Sequence, residues 1–166
     1  MAMVIAIGIT SCKKGDKGDT GPTGINGNAN VHSQTFLVLS SQWTHNGTSG
    51  QQGDSYSNSQ LCYWITDDIA SKGAVLAYTS NDNLSWDQMP FTIPLYSGHA
   101  YSESYLFEYK LNQITFYIAD SDFLTLQPSS AMYFKVVCIA SSVRMANPNV
   151  NWKNYTEVKA ALHLTE

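Results

Sequence analysis

Five glycines near the N-terminus are spaced by three residues, and this spacing excludes a compact fold for that stretch. A triple helix requires glycine at every third position because only a hydrogen atom fits at its axis. Five triplets with the single proline Pro22 are too few to hold three chains together unaided. The repeat therefore separates a short N-terminal part from a head the size of one domain. Its glycines are Gly15, Gly18, Gly21, Gly24 and Gly27.

Two interpretations of this repeat stay open. In the first, residues 12–29 form a polar, extended tether that has no apolar surface to bury. In the second, the repeat forms a triple helix only because a trimeric head brings three chains together, which would make the protein a homotrimer. As an extended spacer, residues 13–30 would reach roughly 50 Å.

The residues before the repeat predict export and lipid attachment. Residues 1–11 carry no charge, and the apolar run Met3–Ile9 is too short to span a bilayer, which needs roughly 20 residues. The run fits the apolar part of a signal peptide, although the usual basic start is missing, so we expect the true start to lie upstream or the first Met to be misassigned. Ile9–Cys12 resembles the lipobox of bacterial lipoproteins, in which an aliphatic residue and two small residues precede the acylated cysteine. Cys12 is thus the predicted lipidation site, and the alternative is an ordinary thiol.

Residues 30–166 predict an all-β head: an antiparallel, jelly-roll-like β-sandwich with a short C-terminal helix. Short apolar runs are broken by turn residues, and a polar, glycine-rich loop is expected over Gly47–Asn58. Capping residues predict a short helix over Thr66–Gly73 and a last helix that opens at Asn154. The predicted strands are Thr35–Ser41, Leu61–Ile65, Ala74–Ser80, Phe91–Leu95, Tyr101–Leu111, Gln113–Ala119 and Met132–Ser141.

Composition argues against a nucleic-acid partner. The net charge is −4, and the one basic cluster consists of Lys13, Lys14 and Lys17. Such a chain cannot neutralise a row of phosphates. The predicted partners are instead the membrane, through the N-terminal lipid, and a glycan or protein ligand.

Few residues form a pattern that predicts chemistry. Cys62 and Cys138 fall in predicted strands and would form either one disulfide or two buried thiols. The four histidines lack metal-ligand spacing, so no metal is predicted. The pairs Asp67–Asp68 and Asp120–Asp122 suit a helix start and a turn better than a calcium site. Because no nucleophile motif is present, we expect neither catalytic residues nor a cofactor.

The best indication of binding is a row of aromatic residues in the predicted strand Tyr101–Leu111. Tyr101, Tyr105, Phe107 and Tyr109 share one side of the strand by the period of two. An exposed aromatic face stacks on sugar rings or docks a protein partner. Alternatively, the row fills the core or an oligomer contact.

The whole chain resembles the collagen-like lipoproteins of Gram-negative bacteria. The resemblance rests on the lipobox, on the GDKGDTGPTG run, and on the segments Ile65–Ile69, Gly73–Leu76 and Asn151–Leu164. It implies an outer-membrane lipoprotein of the cell envelope, periplasmic or surface-exposed, in a family without an assigned activity. The expected role is non-catalytic binding, adhesion or structural support. The alternatives are a carbohydrate-binding accessory protein that uses exposed Trp and Tyr, and a hydrolase.

Overall fold

Two antiparallel sheets pack face to face in the structure, a computed structural model that describes residues 30–164. The predicted all-β sandwich with a short C-terminal helix is therefore confirmed. Cys12 and the five repeat glycines lie outside the described residues, so lipidation and the tether stay predictions.

The two sheets differ in width. The narrower sheet has the order β1 (Val31–Val38), β9 (Met132–Ile139), β4 (Ala74–Ser80) and β5 (Asp87–Gln88). The wider sheet has the order β2 (Thr44–Asn46), β3 (Ser55–Leu61), β8 (Gln113–Asp120), β7 (Ala100–Lys110) and β6 (Phe91–Tyr96). β1 pairs with β9 and β3 with β8, whereas β6, β7 and β8 form a meander. Since β5 has two residues, it leaves part of β6 and β7 without a facing strand.

The main core lies between the sheets. Phe116 of β8 stacks on Phe134 of β9 with ring centroids 4.2 Å apart, and both side chains are fully buried. Along β8, Ile114 and Ile118 point to the same side as Phe116, because side chains alternate between the two faces of a strand. This interior burial is the main source of stability for the sandwich.

A second apolar cluster covers the outer face of the narrower sheet. Helix α3 (Tyr155–Leu162) places Val158 and Leu162 against the outward side chains of β9 and β4. Val137 and Ile139 are among those outward residues, which explains why Val136–Ile139 is buried on both faces. Helix α2 (Ser141–Ala146) adds Val143 to the same cluster.

The two predicted helices form with their predicted caps. Helix α1 (Asp67–Lys72) begins after Thr66, whose hydroxyl accepts a hydrogen bond from the Ile69 N–H at 3.3 Å. It ends at Gly73, where a Cβ would lie 2.5 Å from the Ile139 carbonyl oxygen, so that only glycine fits against β9. Asn154 caps α3 by accepting from the N–H groups of Thr156 and Glu157.

The structure corrects several predicted boundaries, among them that of the strand Thr35–Ser41, which is β1, Val31–Val38. The predicted strand Leu61–Ile65 is wrong, and the expected loop Gly47–Asn58 forms but ends at Asp54, because β3 covers Ser55–Leu61. Its polar residues pair with β8: the Ser59 and Thr115 hydroxyls lie 2.9 Å apart. The predicted strand Met132–Ser141 ends at Ile139, and α2 begins at Ser141 because Val143 is buried in the outer cluster.

Candidate functional site

The predicted aromatic row lies on the side of β7 that faces the core. Tyr105 pairs with Ile118, and Phe107 pairs with Phe116, both buried in β8. Tyr105 and Phe107 accordingly pack against the main core as half-buried side chains. The row becomes more exposed at its end, where Tyr109 keeps 39% of its surface in contact with solvent.

A lateral cleft opens where the narrower sheet fails to cover β6 and β7. It encloses about 280 Å³ between the edges of the two sheets. Its apolar wall contains Phe91, Ile93, Tyr105 and Met132. Its polar rim consists of Thr79, Ser80, Asn81, Asp82, Ser85 and Asp87. The volume is close to the lower end of the range of small-molecule sites.

The aromatic wall of the cleft is held rigidly. The rings of Phe91 and Tyr105 stack in parallel, with centroids 4.7 Å apart and planes 5° apart. The Tyr105 hydroxyl donates a hydrogen bond to Glu103 at 2.7 Å. Burial and the Glu103 carboxylate both raise the pKa of Tyr105, so the phenol stays neutral. A pre-positioned ring pair loses little conformational entropy when a ligand binds.

One of the two carboxylates on the rim, Asp82, serves the fold. Asp82 accepts hydrogen bonds from the N–H groups of Ser85 and Leu84, both at 2.8 Å, and from the Ser80 hydroxyl at 2.9 Å. These bonds lower the pKa of Asp82 to about 2. A carboxylate with so low a pKa is a poor general base or acid near neutral pH. Asp82 is therefore poorly suited to transferring a proton.

A second polar group of residues gathers at the far end of β8. Asp120 is 7% exposed, faces Glu103 across the β7–β8 pair, and has one carboxylate oxygen without a hydrogen bond. Burial and the charges of Glu103, Asp122 and Asp54 raise the pKa of Asp120 to about 6. Within residues 30–164, however, no three His, Cys, Asp or Glu side chains come together in a way that could hold a metal ion.

Two histidines pair with carboxylates around this group. His45 Nε2 lies 2.6 Å from the fully buried Asp54 carboxylate, and His99 Nε2 lies 2.7 Å from Asp122. Burial opposes ionisation of Asp54, but bonds to His45 and Thr125 outweigh it and lower the pKa of Asp54. The hydrogen bond from His99 lowers the pKa of Asp122.

Cys62 and Cys138 lie together in the main core as buried free thiols. Cys138 belongs to β9, and Cys62 follows β3 directly, so the pair joins the two sheets. A hydrogen bond between the thiols lowers the pKa of Cys62, whereas the same contact and burial raise the pKa of Cys138. The proximity is the geometric requirement for the disulfide interpretation; the bond itself stays a prediction.

Several residues of these groups were not predicted from the sequence. Phe91 and Ile93 line the cleft, and their period of two in the run Phe91–Leu95 was a usable signal. The His99–Asp122 contact joins a turn before β7 to one after β8 and left no local pattern. Asp67 and Asp68 lie in the first turn of α1, as expected.

Comparisons with known proteins do not assign the chain to a family: no family model, no curated protein and no solved structure matches it. None of the helices within residues 30–164 has the length and apolar character needed to cross a bilayer.

Proposed function

We propose that this chain is a lipid-anchored envelope protein whose sandwich head binds a ligand without catalysing a reaction. The observation that carries the proposal is the order of features along the chain: an uncharged apolar run, Cys12 in the lipobox-like Ile9–Cys12, the glycine repeat, and then a sheet that begins at Val31. In this arrangement acyl chains on Cys12 hold the molecule at the outer membrane, and several buried CH₂ groups at about 0.8 kcal/mol each make that attachment stable.

Cell fractionation and mass spectrometry test the anchor. We expect the native protein to partition with membranes and its mature N-terminal peptide to carry diacylglycerol on Cys12. After the membranes are washed, the Cys12→Ser variant is expected in the soluble fraction, whereas the matched Cys62→Ser variant stays in the membrane fraction. An unmodified Cys12 in the mature protein would overturn the proposal.

The non-catalytic part of the proposal rests on the lateral cleft. Its wall is apolar, and Asp82 on its rim already accepts three hydrogen bonds within the fold. A hydrolase would need a nucleophile with a positioned base, and Asp82 is a poor base because its pKa is about 2.

The composition of the cleft favours carbohydrate as the ligand class. Sugars present apolar ring faces and hydroxyl groups, and the cleft offers the Phe91–Tyr105 pair beside a rim of Ser, Asn and Asp side chains. Titration against a glycan panel tests this second candidate. We expect Ile93→Ser, in the wall, to weaken binding about tenfold, while Leu37→Ser, on β1, leaves it unchanged. If no glycan of the panel binds, the carbohydrate candidate is wrong, whereas the lipid anchor is unaffected.

A further inference from the structure

Exposed apolar side chains gather at one end of the sandwich. We define the base patch as Leu61, Tyr63, Trp64 and Leu111, whose exposed fractions are 62%, 70%, 44% and 54%. Two hydrogen bonds hold their loops together: the Cys62 N–H donates to the Asn112 carbonyl at 3.0 Å, and the Asn112 N–H donates to the Ile65 carbonyl at 2.9 Å. The patch is therefore one surface built from the ends of β3 and β7.

The N-terminal segment joins the head beside this patch. The ring of Trp64 stacks on His32, the second residue of β1, with centroids 3.8 Å apart and planes 9° apart. Asn30, where the described residues begin, accepts a hydrogen bond from the Ala140 N–H at the same end. Residues 13–29 lie between Cys12 and this point and reach at most about 60 Å when fully extended.

We infer that the base patch docks onto the bilayer interface, an inference that rests on the proposed lipid anchor. Tryptophan and tyrosine combine an apolar ring with a polar group and favour the headgroup level of membranes. An anchored head cannot move far from the bilayer, so its effective concentration at the lipid surface is high and weak contacts suffice.

The charges near the patch define the kind of contact. Lys72 pairs with Asp68 at 3.8 Å on α1, Lys110 lies beside Glu108 near the end of β7, and Asp67 adds one further negative charge. A surface without an excess of positive charge is not drawn to the membrane by anionic lipid. The contact is apolar, and its strength should change little with ionic strength.

Quenching of tryptophan fluorescence by spin-labelled lipid tests the inference on the full chain. In one arm the acylated protein is reconstituted into phosphatidylcholine vesicles that carry a spin label at headgroup depth. In the other arm the full-length Cys12→Ser chain is added to the same vesicles. We expect quenching in the acylated arm and, because the unanchored contact is weak, in the Cys12→Ser arm only with vesicles in large excess. In both arms it should be lost in Trp64→Phe and retained in Trp152→Phe.

Substitutions in the patch give a second readout in the Cys12→Ser arm. Tyr63→Ser and Leu111→Ser are each expected to weaken vesicle binding about fivefold to tenfold. Leu126→Ser is the matched control, because Leu126 is 78% exposed but lies outside the patch, in the segment that follows β8. Binding should persist in high salt.

Three outcomes overturn the inference. If the fluorescence of Trp64→Phe is still quenched, another tryptophan contacts the lipid and the base patch is not the docking surface. Equal binding by Tyr63→Ser and the control removes the patch from the contact. An oligomer in light scattering that Tyr63→Ser dissociates makes the patch a contact between copies. The Cys12→Ser arm needs no acylation. Failure of the proposed anchor is therefore detected separately, by mass spectrometry of Cys12 in the native protein.

Discussion

Asp120 is the residue whose surroundings most oppose its charge. It lies at the end of β8, buried, with one oxygen that accepts no hydrogen bond, and Glu103, Asp122 and Asp54 surround it with negative charge. Its pKa of about 6 in the folded protein compares with about 3.9 in an unfolded chain. The folded state therefore holds a proton between pH 4 and 6 that the unfolded state releases, and this group stabilises the fold less as pH rises through that window.

We predict that Asp120→Asn abolishes this pH dependence. Between about pH 8 and about pH 5, the free energy of unfolding of the wild-type protein should rise by about 1.4 kcal/mol, because Asp120 becomes protonated in the folded state. The variant should be more stable than wild type by about 3 kcal/mol at about pH 8 and by about half of that at about pH 5, where the unfolded carboxyl is still ionised. Chemical denaturation of the wild type and the variant at several pH values measures both free energies of unfolding.

The exposed Asp87→Asn variant serves as the control and should follow the wild-type pH profile. Asp54, Asp82 and Asp122 have lowered pKa values, so their contributions are lost only as pH falls below about 4, outside the window. A wild-type stability that is flat over this range, or a loss of stability in Asp120→Asn, would contradict the interpretation.

At the scale of elements, the sequence predicted best where local chemistry decides. Strand β4 matches its predicted bounds, and α1 begins after its predicted cap Thr66, because periodicity and capping are both local signals. The polar strand β3 was missed because pairing with β8 stabilises it, and its own residues favour a loop. The cleft was missed for a related reason: it depends on β5 being short, which is a property of two sheets together.

The cap of α3 gives a prediction at this scale. Asn154→Ala removes the acceptor for the N–H groups of Thr156 and Glu157 and should lower the free energy of unfolding by about 1 kcal/mol. Because α3 covers the outer face of the narrower sheet through Val158 and Leu162, hydrogen exchange should also rise along β4. The neighbouring Lys153→Ala is the matched control, and an equal effect from it would exclude the cap as the cause.

At the scale of the whole molecule, the ends of the sandwich differ in chemistry. The entry of the N-terminal segment, the base patch and the turn between β7 and β8 lie at one end, and Asp120 with its acidic neighbours lies at the other. The cleft lies between β6–β7 and the ends of β4 and β9 that are nearer the acidic end. If the base patch rests on lipid, the cleft and the acidic end point away from the bilayer, where a ligand reaches them.

The cysteine pair is the contact whose oxidation would affect the whole molecule, because one thiol comes from each sheet. We predict that oxidised glutathione converts Cys62 and Cys138 to a disulfide: the two thiols lose two electrons and two protons, and one glutathione disulfide becomes two glutathione thiols. Closing so long a loop should raise the free energy of unfolding by about 4 kcal/mol. Alkylation of the denatured Cys12→Ser chain should fall from two thiols to none, and Cys138→Ala should show no gain in stability on oxidation. If both thiols can still be alkylated after oxidation, the prediction is wrong. The two sulfurs would then lie in contact in a geometry that cannot form the bond, and the pair would stabilise the fold through core packing alone.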